Sequence, residues 1–458
     1  MNKKSLVGVI ILLVVISVAL YFFYGQPKTT ETTTRLETPN GSEEKVSLVY
    51  AVHWAQGNQM EGIYDENGEL KAKGLNQYLD EYSDLHPNIE FSVRLLPYIE
   101  YADTLKALND AGMAPDIYQI YSPWGVSYVR EGILAEPPLE IKEDILDNYV
   151  STAGVTIDGE IWGIPTEIND FALLYNKEIF KEAGLVDEEG NVLYPKTWSE
   201  LVDKAVKLTK KDTQGNIEQY GIAFLSEDWQ VVDPFLSLLF SNGGEYLAPD
   251  LSQSLFNSPA GVEALEAELE LFEKGATDMN GNFFDFKDGK VAMVISPPWT
   301  KSTFAESFGD KFETVVGVAP FPPLKKQATL GYSWFMGVME NSTNKKEAWK
   351  FLQWFATEIQ AETGTTRYGD LLANNIGAIP SRRVDFESHQ EVLGDFFTGV
   401  YAAQMGNAVA EPNVAESNNI KAALMAEIQA AWSGQKTAAQ ALNDAAAKVD
   451  RILSSNSR

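Results

Sequence analysis

Cysteine does not occur anywhere in the 458 residues. Its absence excludes a disulfide framework, a thiolate metal site, a thiol nucleophile and a lipid-bearing N-terminal cysteine. Histidine is scarce. His53, His86 and His389 are far apart, and no His-x-x-x-His pair occurs, which argues against a zinc centre. Gly-x-Ser-x-Gly, a Walker-type phosphate loop and a Gly-x-Gly-x-x-Gly turn after a strand are all missing. Basic residues are few: 36 Lys plus Arg face 65 Asp plus Glu, a formal charge of −29. Nucleic acid is then an unsuitable partner, because phosphate neutralisation needs a basic face. So acidic a chain also discourages anionic ligands. A chain of this length without a catalytic signature points to binding rather than turnover, with no cofactor and no metal.

Against these absences stands one long apolar run. Met1-Asn2-Lys3-Lys4 precedes Ser5 to Tyr24, which contains no charged residue. A helix crossing a bilayer core needs ~20 apolar residues, and the two lysines favour the cytoplasmic side. Residues 1–25 are read as a signal anchor or a signal peptide. The run ends in bulky Tyr21-Phe22-Phe23-Tyr24 without a small-x-small cleavage site, which favours the anchor. Residues 26–45 form a Thr-rich linker too polar to bury a core, a flexible stalk. The rest would stand on the extracellular face of the membrane.

From Val46 onward, strand and helix signals alternate. Val46 to Val52 reads as a strand, Gly74 to Leu85 as a helix, Ile89 to Leu96 as extended, and Asp116 to Tyr121 as a buried strand. That rhythm predicts an α/β fold. Asn344 to Ile359 places Ala348, Phe351, Leu352, Phe355 and Ile359 on one helical face. At the C-terminus Thr437 is the expected N-cap, with Gln440 completing a capping box and Leu442, Ala446, Val449 and Leu453 forming the apolar stripe. Asn67-Gly68, Asp158-Gly159, Asp212 to Gly215 and Asp288-Gly289 read as turns between strand-like runs. Asp212 to Glu218 and Asp278 to Asp285 superficially suggest calcium loops, but the twelve-residue ligand spacing is missing and hairpin turns explain them better.

Aromatic residues carry the positive signal. The chain has ten tryptophans and nineteen tyrosines. Several fall where strands should end: His53-Trp54, Tyr121-Ser122-Pro123-Trp124, Asp228-Trp229, Pro297-Pro298-Trp299 and Tyr332-Ser333-Trp334. Open α/β sheets bind ligands at the C-terminal ends of their strands. A flat ring covers the apolar face of a sugar while neighbouring amides, carboxylates and hydroxyls meet its polar rim. For any single tryptophan, ordinary core or lobe packing explains the position equally well.

Over ~400 residues the chain resembles the extracellular solute-binding proteins of sugar ABC transporters, the group that includes maltose- and trehalose-binding proteins. The resemblance is carried by Tyr78-Leu79-Asp80-Glu81-Tyr82 with His86-Pro87-Asn88-Ile89, by Ala114-Pro115-Asp116-Ile117, and by Asp158-Gly159-Glu160-Ile161-Trp162-Gly163-Ile164-Pro165 with Leu174-Tyr175-Asn176-Lys177. Pro195 to Leu201, Ser241-Asn242-Gly243-Gly244, Phe286 to Met293 and the Gly434 to Leu453 tail continue it. It implies a two-lobed periplasmic-binding-protein fold (type II) with a hinge, following the N-terminal membrane helix and stalk. Lobe one would be 46–166 with 333–376, and lobe two 167–332 with 377–458. The chain would cross near Thr166 to Asn169, Gly331 to Ser333 and Asn375 to Ile379.

Ligand positions carried across by the resemblance are His53, Trp54 and Gln56 after the first strand, then Tyr121, Ser122 and Trp124. Glu167, Asn169 and Asp170 follow, then Asp228 and Trp229. Trp299 matches a sugar-stacking tryptophan of relatives. Trp334 lies at the second crossing, and Glu411 and Asn413 on a late loop that closes over the ligand. Two departures are visible. Tyr64 to Gly74 is an insertion relative to the shorter maltose-binding form, and Ser122-Pro123 replaces the usual charged pair. The resemblance implies a monomer that captures an oligosaccharide and delivers it to ABC permease subunits. A surface glycoside hydrolase, or the same fold carrying a polyamine or peptide, is the rival expectation.

Overall fold

A computed structural model describes residues 44–54, 57–97, 100–152, 154–225 and 229–455. The segment expected to be an anchor, and all but the end of the expected stalk, fall outside the described residues. Among those described, no helix is long and apolar enough to cross a membrane.

The larger sheet grows from apolar runs that bury on both sides. Val46–Val52 pairs in parallel with Ile89–Leu95 on one edge and with Ile117–Tyr121 on the other. Every residue of Ile117–Tyr121 is buried, as expected of a strand covered on both faces. Thr329–Val338 then adds antiparallel to Ile117–Tyr121, and Ile164–Asp170 adds antiparallel to Thr329–Val338. Ile379–Pro380 closes the far edge, and Ala408–Ala410 pairs with Thr329–Gly331.

A smaller sheet sets Ala172–Asn176 between Met293–Ser296 and Val316–Pro320, antiparallel to both. Its alternation separates two apolar clusters, since successive side chains in a strand point to opposite faces. Leu173 and Tyr175 face the cluster built from the helices Trp198–Leu208, Val232–Ser241, Pro259–Glu273 and Ser417–Trp432. Ala172 and Leu174 face Phe283, Phe286, Phe304 and Tyr401. A third cluster, around the larger sheet, draws on residues 48–164 and 334–378. Tyr332 packs against both this cluster and the first.

Local chemistry explains the motifs. In Leu174-Tyr175-Asn176-Lys177 the buried strand ends at Asn176, whose Oδ1 accepts hydrogen bonds from the amides of Glu178 (3.0 Å) and Ile179 (3.1 Å) and starts the helix Lys177–Glu182. Thr437 and Gln440 form a reciprocal capping box, with bonds of 3.1 and 3.2 Å. Asp212 Oδ1 accepts the amides of Gln214 and Asn216, both at 2.8 Å, which fixes a turn between short strands rather than a calcium loop. Two expectations need correction. The helix expected to run to Ile359 ends at Ala356, and Ile359 is exposed and bridges to Thr366 instead. Asp288-Gly289 ends a 3-10 helix, Phe283–Asp288, with Gly289 left-handed, and is not a turn between strands.

One buried carboxylate offers a stability test. Glu268 is wholly buried beneath Trp432, whose Nε1 donates to its Oε1 at 2.5 Å. Burial pushes its pKa up to about 8. Folded protein therefore holds this proton where unfolded chain has lost it, and stability falls as pH rises from the ordinary glutamate range toward 8. Glu268→Gln should raise the unfolding temperature at about pH 9 and change it little at about pH 5. Thermal melts at the two pH values measure this.

Candidate functional site

The crossing strands build the floor of a cleft. Gly331 pairs with Asp170, Tyr332 with Asn169 and Ser333 with Ile168, while Ile379 pairs with Ile168 from the other side. The register then shifts, so that Phe335 faces Pro165 and Thr166 and Glu167 together oppose Trp334. Such a bulge re-aims a side chain, and both Glu167 and Trp334 line the cleft.

The cleft has a volume of about 1330 Å³. Aromatic rings run along its base from one apolar cluster to the other, with the buried Tyr121 behind them. His53 stacks on Trp334 with centroids 4.3 Å apart, Trp334 lies 5.3 Å from Tyr121, Tyr121 5.7 Å from Tyr332, and Tyr332 5.8 Å from Phe171. Trp299 begins the helix-bearing wall opposite, immediately before the helix Thr300–Phe308. Trp54 donates to Gln119, whose own amide donates to Tyr368 (2.9 Å). Burial pushes His53 down to about 3, so the ring is neutral. Burial lifts Glu167 up to about 7. Its Oε2 is buried and has no hydrogen-bond partner among the described residues. A buried acceptor left unmade costs ~1–3 kcal/mol, so a ligand hydroxyl at this atom would be favoured.

The sequence-derived set divides. His53, Trp54, Glu167, Trp299 and Trp334 line the cleft together. Gln56 and Asp228 fall outside the described residues, and of Trp229 only its place at the start of a 3-10 turn is described. The others lie elsewhere. Ser122 bonds to Ser333 through their hydroxyls at 2.8 Å, and Trp124 is buried, its indole donating to Asn418 at 2.5 Å. Those two pack strand ends against the helix Ser417–Trp432 rather than meeting the cleft. Asn169 and Asp170 are buried in the crossing strand, and burial raises Asp170 well above the usual carboxylate range. Asn413, half-buried, is not among the lining residues.

Tyr121 and Glu411 belong to a buried ionic group behind the floor. Lys421 Nζ lies 2.9 Å from both Asp233 and Glu411 and donates to the Tyr121 hydroxyl (3.2 Å), which in turn donates to Glu411. Burial alone would pull Lys421 down, but the two carboxylates outweigh it and its pKa ends above the ordinary value. The loop bearing Glu411 is thus tied to the helix Ser417–Trp432 through Lys421.

Sequence reading missed several lining residues, among them Gln119, Phe171, Asp233, Tyr332, Tyr368 and Asn375. Asp233 had a signal, as the lone charge in the apolar run Val231 to Phe240. Tyr332 stood beside Trp334 in a cluster already noted.

Residues 67–362 match the family described as bacterial extracellular solute-binding protein, and the chain belongs to that family. Among curated relatives, a maltooligosaccharide ABC transporter solute-binding lipoprotein of Streptococcus pneumoniae is 24% identical over 399 residues, 83% of this chain and 87% of its own. The galactooligosaccharide-binding protein of Bacillus subtilis is 23% identical over 390 residues, covering 82% and 86%. Among solved structures, an ABC transporter solute-binding protein of Thermotoga lettingae bound with α-D-tagatose superposes with a TM-score of 0.73 at 22% identity, covering 90% of this chain and all of that one. The fold is the two-lobed α/β architecture of these proteins.

Removing the central cation should be costly. Lys421→Met leaves Asp233 and Glu411 buried without it, and the expected loss is ~3–5 kcal/mol. Urea titration at neutral pH measures it, and adding Asp233→Asn and Glu411→Gln should restore most of the loss.

Proposed function

We propose that this protein captures a neutral oligosaccharide between its lobes and presents it to an ABC transporter permease. The observation that carries the reading is the ring-lined floor spanning both apolar clusters, with a buried acceptor of Glu167 beside it. Stacked rings favour the apolar faces of pyranose units at ~25 cal/mol per Å² buried, while Glu167 and Gln119 answer the hydroxyls. The volume suits several sugar units. The names of the curated relatives support a saccharide cargo.

The lobes of this reading meet at the three paired segments centred on Ile168, with lobe one 46–166 plus 333–376 and lobe two 167–332 plus 377–458. Closure around sugar follows from differential affinity for the closed state. Catalysis has no part in it. The apolar run Ser5 to Tyr24 and the Thr-rich stalk support tethering at the outer face of the membrane, with the binding unit acting as a monomer.

Thermal shift against malto- and galacto-oligosaccharides, polyamines and peptides tests the cargo. A true ligand at about a hundred times its dissociation constant should add ~2.7 kcal/mol. Stabilisation by a polyamine or peptide and by no saccharide would overturn the reading. Trp299→Ala should weaken the best saccharide by roughly tenfold or more, a loss of ~1.4 kcal/mol, with the melting temperature of the free protein little changed. Calorimetric titration measures it.

A further inference from the structure

The segment between the first strand and the first long helix, which ends in the inserted Tyr64 to Gly74, is built into the cleft. Gly57–Gly74 forms a short helix, Asn58–Glu61, and a hairpin of Ile63–Tyr64 with Leu70–Ala72. Asn58, Gln59 and Ile63 all line the cleft. Gln59 Nε2 donates to Ser302 Oγ at 3.2 Å, and Ser302 belongs to the helix Thr300–Phe308 that follows Trp299. This segment, attached to the larger sheet, thereby touches the opposite wall.

It is not a loose loop. Asn375, itself buried, donates through Nδ2 to the carbonyl of Asn58 at 2.9 Å and to that of Lys73 at 3.0 Å, pinning both ends at one point. Gln77 repeats the device from the other side, donating to Glu61 O (2.9 Å) and accepting from Gly74 N (2.7 Å). Asp65 Oδ1 accepts the amides of Asn67 and Glu69, both at 2.9 Å, and fixes the hairpin tip. Glycine is required at two places. Gly62 has φ +84°, and a Cβ on Gly74 would lie 2.4 Å from Met60 O.

We infer that Gly57–Gly74 is a length-selecting flap, closing the Trp299 side of the cleft so that a saccharide must end there rather than run through. Asn375 is its positioning residue and Gln59–Ser302 its contact with the far wall. The inference rests on the saccharide reading above. A rigid wall at one end favours ligands whose terminal unit abuts it and rejects longer chains by steric conflict, whereas an open groove gains or loses little with each added unit.

The test compares wild type, Asn375→Ala, and the pair Gln59→Ala with Ser302→Ala, by calorimetric titration against malto- and galacto-oligosaccharides of increasing length. Wild type should show an optimum length with a fall of about tenfold or more beyond it. Both variants should flatten that fall, the longest chains losing least or gaining. A uniform loss at every length, or an unchanged profile in both folded variants, overturns the inference. Hydrogen exchange of the sugar-free protein gives a separate readout. Asn375→Ala should speed exchange of the amides of Met60 to Gly62 while those of Val46–Val52 stay protected, and unchanged exchange overturns the clasp. If wild type binds no saccharide, the proposed cargo fails and the length role with it. The exchange result still decides the clasp.

Discussion

Everything in this molecule is referred to one backbone ladder, the antiparallel pairing of Ile164–Asp170 with Thr329–Val338. Each strand begins in the packing of one apolar cluster and ends in the other. Ile164 and Phe335 sit among the side chains around the larger sheet, while Leu330, on the same strand as Phe335, sits in the helix-built cluster that contains Ser417–Trp432. Peptide hydrogen bonds hold that passage together without help from covalent cross-links, since the chain has none. Ile379–Pro380 widens the connection to three segments abreast.

The cleft is a product of that ladder. Register puts Tyr332 and Trp334 two residues apart on one face, and the bulge opposite Trp334 turns Glu167 toward the same space. Beneath the rings, Lys421 with Asp233 and Glu411 supplies a charged but internally satisfied support. An ionic group of this kind costs desolvation and does not by itself stabilise a fold. Its effect is to fix where Tyr121 and Asp233 point. Rigid rings and a fixed polar back wall leave little side-chain freedom to be lost when a ligand arrives, which is how affinity is gained without added contact area.

How much of this could be read from the residues depended on range. Val46–Val52 and Ile117–Tyr121 were legible because a run of buried β-formers admits few alternatives, and the Thr437 box because its chemistry is complete within four positions. His53, Trp54, Glu167, Trp299 and Trp334 were legible as aromatic or acidic residues near strand ends. Trp124 was not. An indole at a strand end looks the same whether it meets solvent or, as here, Asn418 some three hundred positions away. The ion pair of Glu411 was hidden for a related reason: its partners Lys421 and Tyr121 come from separate stretches, and nothing local marks a carboxylate as ion-paired. Asn375 carries no local signal either, because its role is two carbonyls that only folding brings within reach.

The apolar cluster around the larger sheet is assembled from residues 48–164 and again from 334–378, and the second begins at Phe171 and is complete only at Leu453. Neither is contiguous along the polypeptide. A chain emerging from the ribosome cannot finish the first until Trp349, Phe351 and Phe355 have been made, more than three-quarters of the way through synthesis. By then the second has already started and must wait for its last helix. Neither apolar cluster is therefore complete until most of the chain is available.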